Sequence, residues 1–272
     1  MEKSDNSGPS ISPLTGRDGT LTDFGFRQVP TADKQALVRD VFDAVAARYD
    51  LMNDLMSAGL HRVWKRRLVE LLFLRRNPGR DTLHMADIAG GTGDIAFRAA
   101  RAAHRGATPI QIQVIDANTE MLRVGKKRAI TARDALPVSF TTGNAEHLPL
   151  ADNSMDIYTV AFGIRNVTHR AAALDEAWRV LKPGGRFVCL EFSNIPSDIL
   201  TRVYDSYSFR VIPPLGQLVT GDGDPYQYLV ESIRKFPRAD TFADEVTAAG
   251  FSRVAVERLS GGVAALHSGW KV

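Results

Sequence analysis

The residues that could do chemistry are concentrated in a glycine-rich stretch bracketed by two carboxylates. Residues 87–94 read D-I-A-G-G-T-G-D, after an apolar run at 83–86 and before a helical pattern at 95–104. A strand, a glycine turn and a helix in that order open a nucleotide-binding α/β unit. Glycines let the backbone turn sharply and approach a ligand closely. We therefore predict that this stretch binds a ligand that contains a nucleoside.

Two cofactor classes fit this turn, and its acids favour one of them. From Gly91 to Ala96 the sequence also matches the dinucleotide pattern G-x-G-x-x-G/A. A dinucleotide would, however, place its pyrophosphate beside Asp87 and Asp94. S-adenosyl-L-methionine has no phosphate, its cationic part suits an acid at the strand end, and the turn amides suit its carboxylate. We predict S-adenosyl-L-methionine, with a simple helix-capping role as the alternative for Asp94.

Polar residues also follow the next two predicted strands. Asp116 ends a strand predicted at 110–116, in the place where an acid accepts the ribose hydroxyls of a nucleoside. This role is common to S-adenosylmethionine and NAD, and the alternative is an ordinary surface-loop aspartate. Residues 143–150 follow the third predicted strand and are placed to meet an adenine edge.

Composition limits the class of protein. The chain has 272 residues, 44% of them hydrophobic, a net charge of +3 and one cysteine. A globular protein with a core is expected, nucleic acid is not favoured as a partner, and a single cysteine favours a reducing compartment. The sequence contains neither an apolar run of the roughly 18 residues that span a bilayer nor a secretory or import signal at its start. We predict a cytoplasmic protein.

Alternating strands and helices must position these residues. Helices separate five predicted strands, at 83–86, 110–116, 138–141, 155–161 and 186–192. This alternation predicts an α/β fold with a doubly wound, mainly parallel sheet, which two final strands extend to seven. Ligands bind at the carboxyl ends of the strands in such sheets, where Asp87, Asp116 and Asn144 all fall.

The remaining segments are predicted to surround the sheet. Residues 1–30 are rich in Ser, Gly, Pro, Thr and Asp, which predicts a disordered tail before one domain over 31–272. Residues 31–76 should form an N-terminal helical cover, with a helix break at 49–54. Residues 197–237 should form a helical insertion that covers the cleft.

Three further stretches carry a resemblance to a known family. Residues 49–64 read Y-D-L-M-N-D-L-M-S-A-G-L-H-R-V-W, residues 162–167 read F-G-I-R-N-V, and residues 179–193 read R-V-L-K-P-G-G-R-F-V-C-L-E-F-S. With these motifs the sequence resembles the ubiquinone/menaquinone biosynthesis C-methyltransferase family over most of residues 38–270. The glycine turn marks the wider superfamily, whereas these three stretches mark the family.

The resemblance implies an activity and its ligands. It implies methyl transfer from S-adenosyl-L-methionine to a ring carbon of a polyprenylated quinol, either demethylmenaquinol or a 2-methoxy-6-polyprenyl-1,4-benzoquinol. It places the cofactor role on four residues, namely Thr92, Asp116, Asn144 and Ala145. The predicted cofactor site also includes three residues of the turn, namely Asp87, Gly91 and Gly93. No metal site is predicted. Many family members have Ser where this chain has Ala161, so no cofactor contact is expected from that side chain.

Transfer to a ring carbon needs a carbon nucleophile, which a quinol supplies when a ring hydroxyl loses its proton. Arg165 and Asn166 follow the fourth strand, at the edge where the donor methyl should point. Because an arginine stays protonated, we predict that Arg165 stabilises the developing oxyanion, while the proton leaves through water, His61 or Tyr49. These four are the predicted catalytic residues. The alternative for Arg165 is a pair with a structural carboxylate that only holds the loop.

A lipid-soluble substrate and a basic helix at 61–76 predict peripheral contact with an anionic membrane, on the cytoplasmic face of the inner membrane. The cations Arg62, Lys65, Arg66 and Arg67 otherwise form a solvated face. Other enzymes of quinone biosynthesis are further expected partners.

Two alternatives stay open. One is an NAD-dependent oxidoreductase, which lacks an evident hydride-transfer constellation, and the other is a non-catalytic quinone- or nucleoside-binding protein.

Overall fold

The computed structural model of the protein describes residues 20–46, 49–72, 82–131, 136–194, 214 and 223–272. In chain order the helices and strands are β1 (Leu21–Phe24), β2 (Arg27–Pro30), α1 (Thr31–Val45), α2 (Tyr49–Ser57), α3 (His61–Leu71), β3 (Leu83–Ile88), α4 (Asp94–Arg105), β4 (Ile110–Asp116), α5 (Thr119–Thr131), β5 (Val138–Thr142), β6 (Met155–Ala161), α6 (Arg170–Val180), β7 (Leu181–Phe192), α7 (Asp224–Lys235), α8 (Ala239–Ala248), β8 (Ser252–Leu259) and β9 (Ala264–Trp270). Short 3₁₀ turns lie at Ile164–Asn166 and Ser260–Gly262.

Within the described ranges, seven strands form one sheet in the order β5-β4-β3-β6-β7-β9-β8. Strands β3 to β7 run parallel to one another, and β9 lies antiparallel to both β7 and β8. Along the chain, β4 and β5 extend the sheet on one side of β3, and β6 then pairs with β3 on the other side. A crevice opens at such a switch point, outside the carboxyl ends of the strands. The predicted doubly wound, mainly parallel seven-stranded fold is confirmed.

Two hydrophobic cores cover the two faces of the sheet, because successive side chains of a strand point to opposite faces. Met85 of β3 lies in one core, together with Leu68 of α3 and Leu229 of α7. Its neighbour Ala86 lies in the other core, together with Phe242 of α8. The helices therefore form layers on both faces, and they fix the strand ends that meet at the crevice.

The N-terminal helical cover differs from the prediction at residues 49–54, which lie within α2 and do not break the helical region. Met52 and Met56 are spaced by four residues and are both buried in the core. Tertiary burial of this face outweighs the weak helix propensity of the Asn and Asp residues between them. After α2 the chain turns, and the Ser57 hydroxyl accepts a hydrogen bond from the His61 N–H at the start of α3.

Residues 21–30 form a β-hairpin, so the prediction of a disordered tail is wrong for them, while residues 1–19 lie outside the described ranges. Phe24 is buried, and its ring stacks on Tyr228 of α7 with centroids 4.2 Å apart. The Phe26 N–H also donates to Glu231 Oε2 of α7. The composition of the segment does not reveal that Phe24 has a packing partner far along the chain.

Much of the predicted insertion at 197–237 falls outside the described residues, and its described part includes α7. This helix packs against α1, the hairpin and the turn at Ile164–Asn166, so it supports the cover instead of standing apart from it. No helix among the described residues has the length and apolar character needed to cross a membrane.

We expect Phe24→Ala to lower the free energy of unfolding by about 3 kcal/mol, because it removes a buried ring from the contact between hairpin and α7. The measurement is urea denaturation followed by circular dichroism. Phe26→Ala is the matched control, because it removes a ring that is 54% exposed in the same hairpin and should cost less than about 1 kcal/mol. Equal losses for the two variants would contradict the packing role of Phe24.

Candidate functional site

The carboxyl ends of β3, β4 and β6 open into one cleft that α1 and α3 help to enclose. The empty space inside, with the open mouth included, amounts to about 1080 Å³. Side chains that line it from different elements include Phe42, Lys65, Asp116, Asn144 and Asn166. The structure therefore brings most of the predicted site residues to one place.

The glycine turn forms the floor of the cleft, and its backbone leaves no room for side chains. A Cβ on Gly90 would lie 2.8 Å from Val114 Cγ1, and one on Gly91 would lie 2.9 Å from Met121 Cε. Gly91 and Gly93 also have φ values of +52° and +79°, which favour glycine. A bound ligand can therefore lie directly against the peptide groups of this turn, as the sequence predicts.

Asp87 supports the turn from behind. Its side chain is completely buried, with Oδ1 accepting from the Thr159 hydroxyl at 2.8 Å and Oδ2 from the Ala96 N–H at 3.2 Å. Burial raises the pKa of this carboxyl to about 7. Because its side chain is completely buried, in addition to having both oxygens bonded to the protein, Asp87 is not placed to meet the cationic part of a ligand as predicted. It holds the floor of the cleft in shape.

Asp116 joins the turn to the end of β4. One carboxylate oxygen accepts from the Gly91 N–H and the other from the Asn118 N–H, both at 2.8 Å. Burial raises the pKa of Asp116 to about 6. Each oxygen keeps a further lone pair for a hydroxyl donor, and the side chain lines the cleft. This placement agrees with the predicted ribose role.

The prediction missed Asn118, which attaches the helical cover to the sheet. Its amide donates to Asp43 Oδ1 of α1 at 2.8 Å, while its Oδ1 accepts from the Met121 N–H. An Asn directly before a helix is a capping signal, which could have identified it. The capping pattern does not reveal that the second half of the amide reaches another helix.

Two loops form the remaining edge of the cleft. Asn144 and Ala145 line it as predicted, and Asn144 Oδ1 accepts from the Glu146 N–H at 3.0 Å. Glu146 in turn accepts from the Thr168 N–H at 3.0 Å, which ties the loop after β5 to the loop after β6. Thr92 also lines the cleft, and its hydroxyl accepts a hydrogen bond from Arg128 while keeping its own O–H to donate.

Arg165 does not occupy the predicted catalytic position. It is buried and absent from the cleft lining, and its Nη1 donates to Glu191 Oε1 and to the Phe162 carbonyl, each at 2.6 Å. Burial raises the pKa of Glu191, and Arg165 opposes that rise. These contacts correspond to the alternative weighed for Arg165, a pair with a structural carboxylate that holds the loop. The pairing spans 26 residues, so no local pattern indicated it.

Asn166, next to this pair, does line the cleft. The Tyr228 hydroxyl of α7 donates to Asn166 Oδ1 at 3.1 Å, a contact that the sequence did not predict. With its oxygen engaged by Tyr228, the amide has its N–H₂ group left to donate to a ligand.

The two predicted proton acceptors are less directly placed. His61 is buried outside the cleft lining, and its Nε2 lies 2.8 Å from Asp54 Oδ1. Its Nδ1 has no partner among the described residues. Burial, reinforced by Lys65, lowers the pKa of His61. The backbone of Tyr49 begins α2, but its side chain lies outside the described part of the structure.

The predicted solvated basic face is mostly paired. Lys65 is 3% exposed and its Nζ lies 2.8 Å from Asp94 Oδ2. Arg62 pairs with Asp54, and Arg67 pairs with Glu257. The prediction treated all four cations alike because helical spacing does not show which carboxylates other elements bring to them.

The chain segments that follow β3 and β6 pack closely against each other at the cleft floor. A Cβ on Gly163 would lie 2.4 Å from the Ala89 Cβ, so a larger residue does not fit there. Ala89 and Phe162 both have positive φ, at +49° and +58°. Such backbone costs on the order of 1–3 kcal/mol per residue and is concentrated at functional sites in proteins.

Comparison with known proteins relates this cleft to methyltransferases. The model of the ubiE/COQ5 methyltransferase family matches residues 30–271. The ubiquinone/menaquinone biosynthesis C-methyltransferase UbiE of Nitrobacter hamburgensis is 59% identical over 93% of this chain and 98% of its own length. UbiE of Bradyrhizobium diazoefficiens is 56% identical over 94% of this chain and 99% of its own.

Solved structures share the fold at low sequence identity. A SAM-dependent methyltransferase of Aquifex aeolicus matches with a TM-score of 0.53 at 14% identity, over 90% of this chain and all of that one. Phosphoethanolamine N-methyltransferase 2 of Haemonchus contortus matches with a TM-score of 0.58 at 14% identity, over 86% of this chain and 60% of that one.

We expect Arg165→Met to destabilise the protein by about 3–5 kcal/mol, because it leaves the Glu191 carboxylate buried without its cation. Adding Glu191→Gln should restore at least half of the loss, since the amide carries no charge and keeps an acceptor oxygen for the neighbouring N–H groups. Urea denaturation of both variants measures this.

The control is Arg258→Met, which breaks an exposed pair with Asp240 and should cost less than about 1 kcal/mol. A double variant as unstable as Arg165→Met alone would show that the two charges are not coupled.

Proposed function

Because the chain belongs to the ubiE/COQ5 methyltransferase family, we propose that it transfers a methyl group from S-adenosyl-L-methionine to a ring carbon of a polyprenylated quinol. The reaction converts demethylmenaquinol to menaquinol, or a 2-methoxy-6-polyprenyl-1,4-benzoquinol to its 5-methyl product. It serves menaquinone biosynthesis, ubiquinone biosynthesis or both. The two UbiE relatives are ubiquinone/menaquinone biosynthesis C-methyltransferases, which supports this substrate class.

The observation that carries the proposal is the set of carboxylates at the glycine turn. Asp94 and Asp116 both contribute charge to the wall of the cleft beside this turn. Their charge suits a ligand with an ammonium and a sulfonium and opposes the pyrophosphate of NAD. Bound here, S-adenosyl-L-methionine supplies an electrophilic methyl group. This arrangement favours the methyltransferase over the oxidoreductase alternative.

Each part of the cofactor has matching groups in the cleft. We assign the ribose to Asp116, whose two oxygens each keep a free lone pair beyond their backbone bonds. We assign the adenine to the loop of Asn144 and Ala145. Gly90, Gly91 and Thr92 line the cleft beside them, and their peptide groups bound the space for the rest of the molecule.

Residues at the ends of β6 and α1 form the acceptor side. Val38, Phe42 and Phe162 offer apolar surface for a quinol ring. The Asn166 amide, oriented by Tyr228, donates to the ring oxygen as negative charge develops on it. Arg165 acts one step away, as a positioning residue that fixes the loop of Asn166 through Glu191. His61 stays the proton acceptor to be tested, because a lowered pKa keeps its ring neutral near pH 7.

The function is tested with purified protein, radiolabelled S-adenosyl-L-methionine and either quinol, kept reduced with dithionite. We expect label to appear in the extracted quinol, with the mass of the C-methyl product. Asp116→Ala should weaken cofactor binding by roughly 1.5–3 kcal/mol for each ribose hydroxyl bond lost. Cofactor binding without methylation of either quinol would favour the non-catalytic binder, and binding of NAD instead would favour the oxidoreductase.

We also propose peripheral contact with an anionic membrane, through the corner between α2 and α3. Leu60 and Val63 are 41% and 53% exposed there. Arg62 and Arg66 are exposed beside them, so apolar and basic groups alternate on one surface, a pattern that suits an anionic interface. Lys65, on the inner face of the same helix, lines the cleft, which places this corner next to the site of a lipid-soluble substrate.

The double variant Leu60→Ser, Val63→Ser should lose most of its co-sedimentation with phosphatidylglycerol vesicles at low salt, because it removes the apolar part of the contact. Ile130→Ser is the control, since Ile130 is 84% exposed on α5 and should not matter. Equal sedimentation of wild type and both variants would exclude this corner as the contact. The location on the cytoplasmic face of the inner membrane and contact with other quinone-biosynthesis enzymes stay predictions.

A further inference from the structure

An ion pair with a buried lysine lies in the wall of the cleft, and no part of the cofactor has been assigned to it above. Lys65 Nζ lies 2.8 Å from Asp94 Oδ2, and both residues line the cleft. Lys65 is 3% exposed, an unusual environment for a lysine, and its Nζ also lies 5.9 Å from the centroid of the Phe162 ring. Burial of the lysine ammonium group costs hydration free energy, and a contact with a purely structural role would have to offset that cost.

Asp94 has a second protein partner and Lys65 has further N–H donors, so their mutual contact is free to be exchanged. Asp94 Oδ1 accepts from Arg98 Nε at 2.9 Å, which leaves Oδ2 as the oxygen that faces Lys65. Lys65 has three N–H donors, and one is used by Asp94. A ligand that carries both an anion and a cation can enter between Lys65 and Asp94 and replace one internal contact with two of its own.

The other charged groups of the cleft are bonded within the protein, lie at the ribose position, or lie on the exposed side of α1. Among the described residues that line it, the cations are Lys65 and Arg39, and Arg39 is on the exposed side of α1. Asp87 has both oxygens bonded inside the protein. Glu146 holds the N–H groups of the next loop, and Asp116 lies at the ribose position. Lys65 and Asp94 are therefore the opposite charges placed beside the glycine turn.

We propose that Lys65 and Asp94 together receive the α-amino-acid end of the methyl donor, with Lys65 on the carboxylate and Asp94 on the ammonium. The proposal rests on the function proposed above. It replaces the role predicted for Asp87 at the strand end. Because Lys65 belongs to α3 and Asp94 begins α4, the donor fastens the helical cover onto the glycine turn.

Ligands that lack one charged group separate the two roles. In isothermal titration calorimetry we expect Lys65→Met to weaken S-adenosylhomocysteine binding by about 10- to 100-fold, the scale of one lost charged hydrogen bond. Binding of 5′-methylthioadenosine, which has no amino-acid end, should stay unchanged. Decarboxylated S-adenosylmethionine, which keeps its ammonium, should bind Lys65→Met as it binds the wild type. Lys65→Arg should recover part of the affinity for S-adenosylhomocysteine.

Asp94→Asn should weaken both ammonium-bearing ligands and leave 5′-methylthioadenosine unchanged. Arg98→Met is the matched control, because it removes the other partner of Asp94 outside the cleft lining and should change no affinity by more than about threefold. Thermal unfolding confirms that each variant is folded.

Two outcomes would overturn the assignment. Equal losses for S-adenosylhomocysteine and 5′-methylthioadenosine in Lys65→Met would show that the pair only shapes the cleft. Full affinity for S-adenosylhomocysteine in that variant would show that Lys65 does not touch the ligand. A wild-type protein that binds none of the three ligands would instead overturn the proposed function, and this assignment with it.

Discussion

The buried Asp87 carboxylate is the contact on which the site depends. Through Thr159 and the Ala96 N–H it joins β3, β6 and α4 beneath the glycine turn. A buried carboxyl group is costly unless its oxygens are bonded, so these two donors and the carboxylate constrain one another. Asp116, at the end of the neighbouring strand β4, is held in the same way by two backbone N–H groups. The floor of the cleft is therefore rigid before any ligand arrives.

The helical cover is held differently, by single side chains that reach across from one element to another. The Trp64 indole N–H donates to the Ser260 hydroxyl, and Asn118 links the end of β4 to α1. Lys65 and Asp94 add a charged contact on the cleft side. These contacts add to the burial of Met52, Met56 and Leu68 in the core, so packing and single side chains together hold the cover over the floor.

Local patterns in the sequence predicted the sheet and the glycine turn well. The alternating elements, the acid at Asp116 and the polar loop at Asn144 needed only neighbouring residues and the rule that parallel strands end together. Three of the misses involve partners far away in sequence. Phe24 needs Tyr228, Arg165 needs Glu191, and Lys65 needs Asp94. Their types and spacing are compatible with solvent exposure, and tertiary packing decides otherwise.

The contact between Phe24 and Tyr228 also sets an order in time. The hairpin leaves the ribosome early, whereas the helix it packs against follows about 200 residues later. At 5–20 residues per second, synthesis of that interval takes roughly 10–40 s. Throughout this period the first strands cannot complete their packing, and the cleft lacks α7 beside Asn166. The nascent chain therefore has to remain unaggregated with an open site until its last quarter has been made.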